Sequence, residues 1–303
     1  MRALLVFNPN ATTTDDDLRE VIASALASQV ELEVQATKQR GHATHVAAGA
    51  VHEGVDAVFV LGGDGTANEV IQALAGTEAR LGVIPGGGTN VLARALGLPN
   101  DAVRATTTLL DHLRNDKIRR ISLGRAAGRY FAFNAGFGFD AAVVRLVEQR
   151  TRMKRTLRQA AFVWCALEEW ARGPDRTAPI VSVTPHGGTT DGPFTLATVA
   201  NADPYTFLGS RPLHVTPGAS FDRGLDVVGI REVGTATLLR IVGHVFGRRG
   251  AHLEHPAIAH WQDLPSLELT AAEPQPLMVD GDYAGEHTTV RVDSAPNALT
   301  VLA

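Results

Sequence analysis

The chain has 303 residues, 45% of them hydrophobic and 20% charged, with a formal net charge of -4. Such a soluble, globular composition buries a sizeable core and leaves room for two domains, while the acidic balance argues against a dedicated nucleic-acid binder. Cys165 stands alone, which excludes an intrachain disulfide or a cysteine metal cluster, and no uncharged apolar run reaches the ~18 residues that span a bilayer.

Ala3–Phe7 is an apolar run of buried-strand type that stops at the turn Asn8-Pro9-Asn10. It meets that turn too soon to be a signal peptide, so the expected location is cytoplasmic. Loops at the C-terminal ends of strands are where α/β proteins hold ligands. Thr14 has the character of a helix N-cap, three aspartates fill the first turn, and Leu18, Val21, Ile22, Ala25 and Leu26 mark one helical face. Leu32–Ala36 reads as a second strand, Thr37–Gly41 as a turn, His42–Glu53 as a helix and Ala57–Leu61 as a third strand.

That third strand runs into Gly62-Gly63-Asp64-Gly65-Thr66-Ala67-Asn68-Glu69-Val70, read as a glycine turn opening a helix. Three glycines in four positions let backbone amides approach a ligand with no Cβ in the way, and the helix start adds the positive end of its dipole. Both features suit phosphate oxygens. The glycines alone are equally well explained by the steric needs of an α/β turn. Asp64 tips the reading, since a carboxylate inside a phosphate-binding turn repels the ligand unless a cation such as Mg2+ lies between them. A metal-bound nucleotide is the expected ligand.

Leu81–Ile84 is a fourth strand, followed by Pro85-Gly86-Gly87-Gly88-Thr89-Asn90 and the helical stretch Val91–Leu96. Strands alternating with helices imply right-handed crossovers and a parallel sheet with helices on both faces. Both glycine turns then lie at the same sheet edge and can converge on one ligand. From about Lys117 the pattern changes to short alternating runs, among them Tyr130–Ala135, Ile180–Thr184, Thr195–Asn201, Leu225–Ile230, Leu267–Thr270 and Thr288–Val292, which favour a mainly antiparallel β domain. Two helical stretches interrupt it, Asp140–Ala171 and Thr235–Phe246. The boundary falls near Gly124, giving domains 1–124 and 125–296, with no low-complexity linker and no internal repeat.

The run Gly62–Val70, the run Gly86-Gly87-Gly88-Thr89-Asn90 with Ala93-Arg94, and the late Val279-Asp280-Gly281-Asp282 occur in the order seen in the diacylglycerol kinase catalytic-domain family. The chain resembles the bacterial soluble lipid kinases of that family, relatives of the sphingosine and ceramide kinases. The resemblance covers most of the chain, and three ordered motifs are far more specific than any one. It implies a nucleotide-binding α/β domain followed by a β-sandwich, with the active site in the cleft between them, and a final strand Leu299–Leu302 folding back so that 297–303 joins the first domain. ATP and Mg2+ are the implied cofactors, and a lipid hydroxyl the implied acceptor. By the same resemblance Asn8 and Thr37 contact the nucleotide, Gly62, Gly63, Gly65 and Thr66 donate to its phosphates, and Gly87, Gly88, Thr89 and Asn90 complete the cradle. Asp64 serves catalysis and the metal. Asn68, Glu69 and Arg94 either touch ligand or merely stabilise the helix starts.

The proton of the acceptor alcohol falls, by resemblance, to Asp282, where the family usually has glutamate. Aspartate is shorter by about one C–C bond, and a misplacement of about 1 Å can cost ~100-fold. Asp282 is therefore a working base in a retuned site or a sign of weakened activity, and the plain alternative for Asp-Gly-Asp is a β-turn. Phe221-Asp222-Arg223-Gly224-Leu225-Asp226-Val227 resembles the family's aspartate-rich turn, whose carboxylate holds a structural Mg2+; Asp222 matches, but Arg223 stands where glycine is usual, and its guanidinium can replace the cation. Ser122 occupies a position where the family commonly has aspartate, which removes a carboxylate from the metal relay attributed to such kinases.

A lipid kinase must reach a bilayer, and anionic lipids attract basic patches at about 1 kcal/mol per residue. Arg150, Lys154 and Arg158 recur every fourth residue beside Arg152 and Arg155, opposite a stripe of Met153, Leu157, Ala160, Trp164 and Leu167. That face is either solvated or docks on anionic membrane. Arg248 and Arg249 form a weaker candidate. The scattered histidines, His42, His45, His252 and His255 included, carry no metal-site pattern. A homodimer is left open, since a β-domain edge can pair across copies or be covered. Two competing functions stand beside lipid kinase: an NAD kinase, whose family shares the Gly-Gly-Asp-Gly-Thr turn, and a catalytically weak nucleotide-binding regulator. A dehydrogenase is disfavoured because no Gly-x-Gly-x-x-Gly follows the first strand.

Overall fold

A computed structural model of the chain describes residues 1–9, 11, 15–139, 141–142, 180–231, 243 and 250–303. The basic helix expected over 140–171, and nearly all of the stretch 235–249, lie outside the described residues. The chain divides into two compact units, Met1–Leu123 with Pro296–Ala303, and Gly124–Ala295.

The first unit alternates β1 (Arg2–Phe7), α1 (Asp16–Ala27), β2 (Glu31–Ala36), α2 (His42–His52), β3 (Ala57–Gly62), α3 (Asp64–Leu74), β4 (Arg80–Pro85), α4 (Val91–Ala95) and α5 (Ala102–Arg114). The pairs among β1 to β4 are parallel, in the order β2-β1-β3-β4, and Thr300 and Val301 add a further parallel pairing on β4. β3 is buried along its whole length and Ala3–Val6 of β1 likewise, as expected of strands covered on both faces. β2 closes the sheet and carries Glu31 and Glu33 in an exposed pattern that discourages further pairing. Right-handed crossovers to opposite sides of β1 put α1 on one face and α2 and α3 on the other, with α1 packed beside α5 and α2 beside α3.

Two local expectations shift. The N-cap of α1 is Asp15, whose carboxylate accepts from Leu18 N at 2.8 Å, while Thr14, the expected cap, lies outside the described residues. Its inward stripe is carried by Ile22 and Leu26, while Val21 is 58% exposed. The helix α5, capped by Asp101 on Arg104 N at 2.9 Å, is absent from the sequence reading altogether.

The remaining strands are β5 (Arg119–Ala126), β6 (Arg129–Phe131), β7 (Asn134–Gly138), β8 (Val181–Pro185), β9 (Asp191–Phe194), β10 (Leu196–Ala200), β11 (Thr206–Leu208), β12 (Arg211–Leu213), β13 (Leu225–Ile230), β14 (Ile258–Leu264), β15 (Ser266–Val279) and β16 (Asp282–Val301). Those of the second unit form an antiparallel β-sandwich. One layer runs β14-β13-β10-β7 and meets the C-terminal end of β15; the other is β9-β8 on the N-terminal end of the same strand. β15 changes layers through an irregular stretch between Thr270 and Gln275, the usual way a long strand turns a sandwich corner. Phe131, Phe137, Val183, Phe194, Val199, Val227, Leu269, Leu277 and Val292 are among the side chains that fill its core.

Candidate functional site

The register of the parallel sheet places the expected nucleotide residues in one row. Phe7 pairs with Ala36 and with Leu61, and Gly62 with Pro85, so Thr37, Asn8, Gly62-Gly63 and Gly86-Gly87 all follow the C-terminal ends of adjacent strands. Three strand spacings separate the first from the last, roughly 14 Å. Backbone bonds tie the row together: Thr37 N donates to Phe7 O at 2.8 Å, Asn8 N to Leu61 O at 3.2 Å and Gly86 N to Gly62 O at 2.8 Å. In the order β2-β1-β3-β4 the crossovers diverge between β1 and β3, which is where open α/β sheets form a ligand crevice. Asn8 and Gly62-Gly63 flank that point.

The two glycine turns touch. A Cβ on Gly87 would lie 2.7 Å from Gly63 Cα, and one on Gly86 would lie 3.1 Å from Gly62 Cα, so both pairs are glycine because two backbones meet there. Gly65 differs. It lies in the first turn of α3, exposed, and an added Cβ meets nothing within 4 Å, so the protein's own packing does not demand glycine. Thr66 closes over Gly62, with its Cβ and Oγ1 each 3.1 Å from where a Gly62 Cβ would stand. Gly88 and Thr89 continue the second turn as a bend. Asn90 holds that bend in shape from a left-handed backbone (φ 50): Oδ1 accepts from Gly87 N at 2.8 Å and Nδ2 donates to Gly87 O at 2.9 Å and to Asn100 Oδ1 at 2.8 Å. Its acceptor and both donors are thus engaged inside the protein.

The carboxylates of α3 turn to its neighbours. Asp64 Oδ1 accepts from Leu92 N at 3.0 Å, on the N-terminal turn of α4. Burial pushes its carboxyl above the ordinary carboxylate range, against the pull of N–H groups at Leu92, Val91 and Asn90. The need for a cation beside Asp64 does not follow from its place in the motif, because backbone donors and the α4 dipole already face its charge. Glu69 serves α2 in the same way: Oε1 accepts from Gly41 N at 2.8 Å and Oε2 from Ala43 N at 3.0 Å, where the N-cap glycine has no side chain to cap with. Asn68 is buried, and its Oδ1 accepts from Gln72 Nε2 at 3.2 Å. Asp64 also opposes the burial that lowers the Arg94 guanidinium, which places that cation in the electrostatic reach of the glycine turns.

In the second unit, Asp280 and Gly281 (φ 47 and 81) form a two-residue hairpin of type I′ between β15 and β16, closed by the pair Val279 and Asp282. Asp280 is buried, and its carboxylate accepts from Ala132 N at 2.7 Å, Phe133 N at 3.0 Å and Asn134 N at 3.0 Å. Asp280 N returns a bond to Asn134 O at 2.8 Å. Gly281 N donates to Met278 Sδ at 3.0 Å, and Tyr205 packs against Met278. The hairpin is thereby pinned from two sides, and Asp282 leaves it with its side chain 22% exposed and Oδ2 3.8 Å from Arg129 Nη2. Arg129 is a partner that nothing in the linear motif announces, being 153 positions earlier (282 minus 129).

Beside Asp222, the Arg223 side chain reaches one carbonyl and one carboxylate. Arg223 Nη1 donates to Gly218 O at 3.3 Å, and Nη2 lies 3.8 Å from Asp263 Oδ2. Among the described residues no three His, Cys, Asp or Glu side chains converge in a way that could hold a metal ion. Ser122 is buried in β5.

Residues 2–126 match the family described as diacylglycerol kinase catalytic domain, and residues 134–303 the family described as YegS C-terminal NAD kinase beta sandwich-like domain. The chain is 29% identical over 294 residues to a diacylglycerol kinase of Bacillus subtilis, covering 94% of this chain and 90% of that protein. Its fold is similar to the crystal structure of a putative diacylglycerol kinase from Bacillus anthracis, with a TM-score of 0.78 at 23% identity over 99% of this chain and 96% of the other. An NAD kinase from Archaeoglobus fulgidus, solved in complex with ATP, aligns with a TM-score of 0.53 at 12% identity over 100% of this chain and 94% of the other.

Proposed function

Because the chain belongs to the diacylglycerol kinase catalytic-domain family, we propose that it is an ATP-dependent lipid kinase that moves the γ-phosphate of ATP to a hydroxyl of diacylglycerol or a related lipid. The observation that carries the reading is the glycine edge: two backbone turns in contact at the sheet's switch point, with Gly65 open beside them. A protein of this fold has been solved in complex with ATP, which supports the choice of nucleotide. The row from Gly86 to Thr37 suits phosphates at the glycine end and the nucleoside toward Asn8 and Thr37.

Phosphoryl transfer asks for positioning, charge neutralisation and removal of the alcohol proton. In this proposal the backbone of Gly63, Gly65, Thr66, Gly87, Gly88 and Thr89 positions the phosphates, and Arg94 adds positive charge near them. Asp64 is the carboxylate at this edge and would hold Mg2+, which when bound would supply positive charge to neutralise the phosphates. Asp282 takes the proton of the attacking hydroxyl, and the hairpin pinned by Asp280 keeps the shorter aspartate in place. Work on a lipid acceptor brings with it peripheral association with an anionic membrane surface. The sandwich family description and the NAD kinase neighbour favour one alternative acceptor, NAD.

Labelled ATP and Mg2+ offered with diacylglycerol, a lipid extract and NAD in parallel tests the proposal. Label in chloroform-soluble product is the expected result; label in NADP establishes the alternative, and ATP binding without transfer leaves only a nucleotide-binding regulator. Asp282→Asn is expected to lower transfer by about 10²–10⁴-fold with ATP binding retained. An unchanged rate removes Asp282 from the mechanism.

A further inference from the structure

The residues around Asp222 can be tested as a cation site on their own geometry. Asp226 is buried, and its Oδ1 accepts from Asp263 N at 3.0 Å. Asp263 Oδ1 accepts from Gly224 N at 2.7 Å, and its Oδ2 faces Arg223 Nη2 at 3.8 Å. The carbonyl of Gly218 accepts from Arg223 Nη1 at 3.3 Å, and Gly218 itself is pressed on Asp226, since a Cβ there would lie 3.0 Å from Asp226 Oδ2. One carbonyl and one carboxylate thus meet a single guanidinium, with the Asp226 carboxylate packed against Gly218 beside them.

A hard divalent ion held in this turn would call on oxygens of this kind. Mg2+ asks for near-octahedral oxygen ligands at about 2.0–2.1 Å, and Ca2+ for six to eight at about 2.3–2.6 Å. Here the Asp226 and Asp263 carboxylates each receive a backbone N–H, and the Arg223 guanidinium reaches the Gly218 carbonyl and faces Asp263. The backbone accommodates it without strain, because Arg223 is not among the residues with positive φ. Burial, and secondarily the neighbouring Asp263, push the Asp226 carboxyl up, while the Asp263 amide, Arg223 and His260 pull it down. Arg223 brings positive charge to this cluster from within the chain.

We propose that Arg223 is the internal cation of the Gly218–Asp226 turn, replacing the structural divalent ion that the family resemblance implies there. The guanidinium is planar and presents several N–H donors at once, which lets it serve a carbonyl and a carboxylate together. The side chains of Arg223 and Asp263 are 40% and 56% exposed, so solvent and salt screen the pair and the expected effect on stability is modest.

Thermal unfolding of the full chain, without nucleotide, tests this independently of any activity. Wild type is expected to melt at the same temperature in EDTA and in millimolar Mg2+. Arg223→Gln, which removes the charge and leaves a shorter polar side chain, is expected to melt about 1–3 °C lower at low salt, the difference closing in 1 M NaCl. Arg223→Gly, which reopens the turn, is expected to gain melting temperature on adding Mg2+ or Ca2+. A wild type that loses stability in EDTA, with the loss abolished in Asp222→Ala, overturns the proposal. So does an Arg223→Gln protein as stable as wild type at low salt.

Discussion

The glycine edge of the first unit and the Asp280–Asp282 hairpin of the second both set a carboxylate against backbone N–H groups, with opposite results. On the glycine edge, one Asp64 oxygen and both Glu69 oxygens accept from N–H groups at the starts of α4 and α2, and the two turns meet backbone to backbone. In the hairpin, Asp280 takes three amides itself, and what is presented is a side chain, Asp282. Acidic residues sharing one motif thus divide into those engaged by backbone N–H groups and those presented as side chains. Spacing along the chain does not say which is which.

The comparison breaks most visibly at Asp280. Asp280→Ala leaves three buried N–H groups without their acceptor, each worth about 1–3 kcal/mol, and should cost several kcal/mol in urea unfolding while taking transfer activity with it. If that variant stays stable and active, the hairpin is not held by its carboxylate. On the glycine edge, Gly87→Ala pushes a methyl to 2.7 Å from Gly63 Cα, backbone against backbone, and should cost about 1–3 kcal/mol and weaken ATP binding. Gly65→Ala meets nothing in the protein, so it should fold as wild type and lose ATP affinity alone. Equal stability losses in the two would erase the distinction between packing and ligand-facing glycines.

Glu69→Ala uncaps α2 and should lower stability by about 1 kcal/mol with the kinetics of transfer unchanged, measured side by side on the same preparation. The smallest effect is expected at Asp64. Its folded-state pKa is raised, so the unfolded chain releases that proton at lower pH, and ionisation costs the folded state stability as pH climbs from the ordinary aspartate value through the raised one. Asp64→Asn should therefore gain melting temperature relative to wild type as pH rises from 4 to 8, with little difference at the acid end, while losing transfer. A gap that widens toward acid would show that the backbone donors, and not burial, govern this carboxylate.

Much of the first unit was readable because its strands are buried on both faces and appear as unbroken apolar runs. The helix α5 was not, since Thr106, Thr107 and Thr108 resemble strand composition; in the fold their hydroxyls donate to the carbonyls four residues back, at Ala102, Val103 and Arg104, and fit the helix. β14 is an edge strand in which only Ile258 is fully buried, so its sequence carries too weak an apolar pattern to stand out. Of β15 and β16, 14 and 20 residues long, only short alternating cores were legible, because prolines, Gly285 and the shift of register near Gln275 interrupt the period. At the candidate site the glycine pattern was legible, and the engagement of Asp64, Glu69, Asn90 and Arg223 with the protein's own groups was not.

The amino-acid order alone determined the alternation of strands and helices, the two glycine turns and their place on one sheet edge, since periodic burial and backbone freedom are properties of neighbouring residues. Only the tertiary structure decided where the charged side chains point. Asp64 meets Leu92 across 28 positions, Glu69 meets Gly41 across 28, and Asp280 meets Ala132 across 148. A carboxylate takes its role from whichever donors the fold brings within 3 Å of it, and those donors are backbone amides, which every residue except proline carries and no sequence pattern marks.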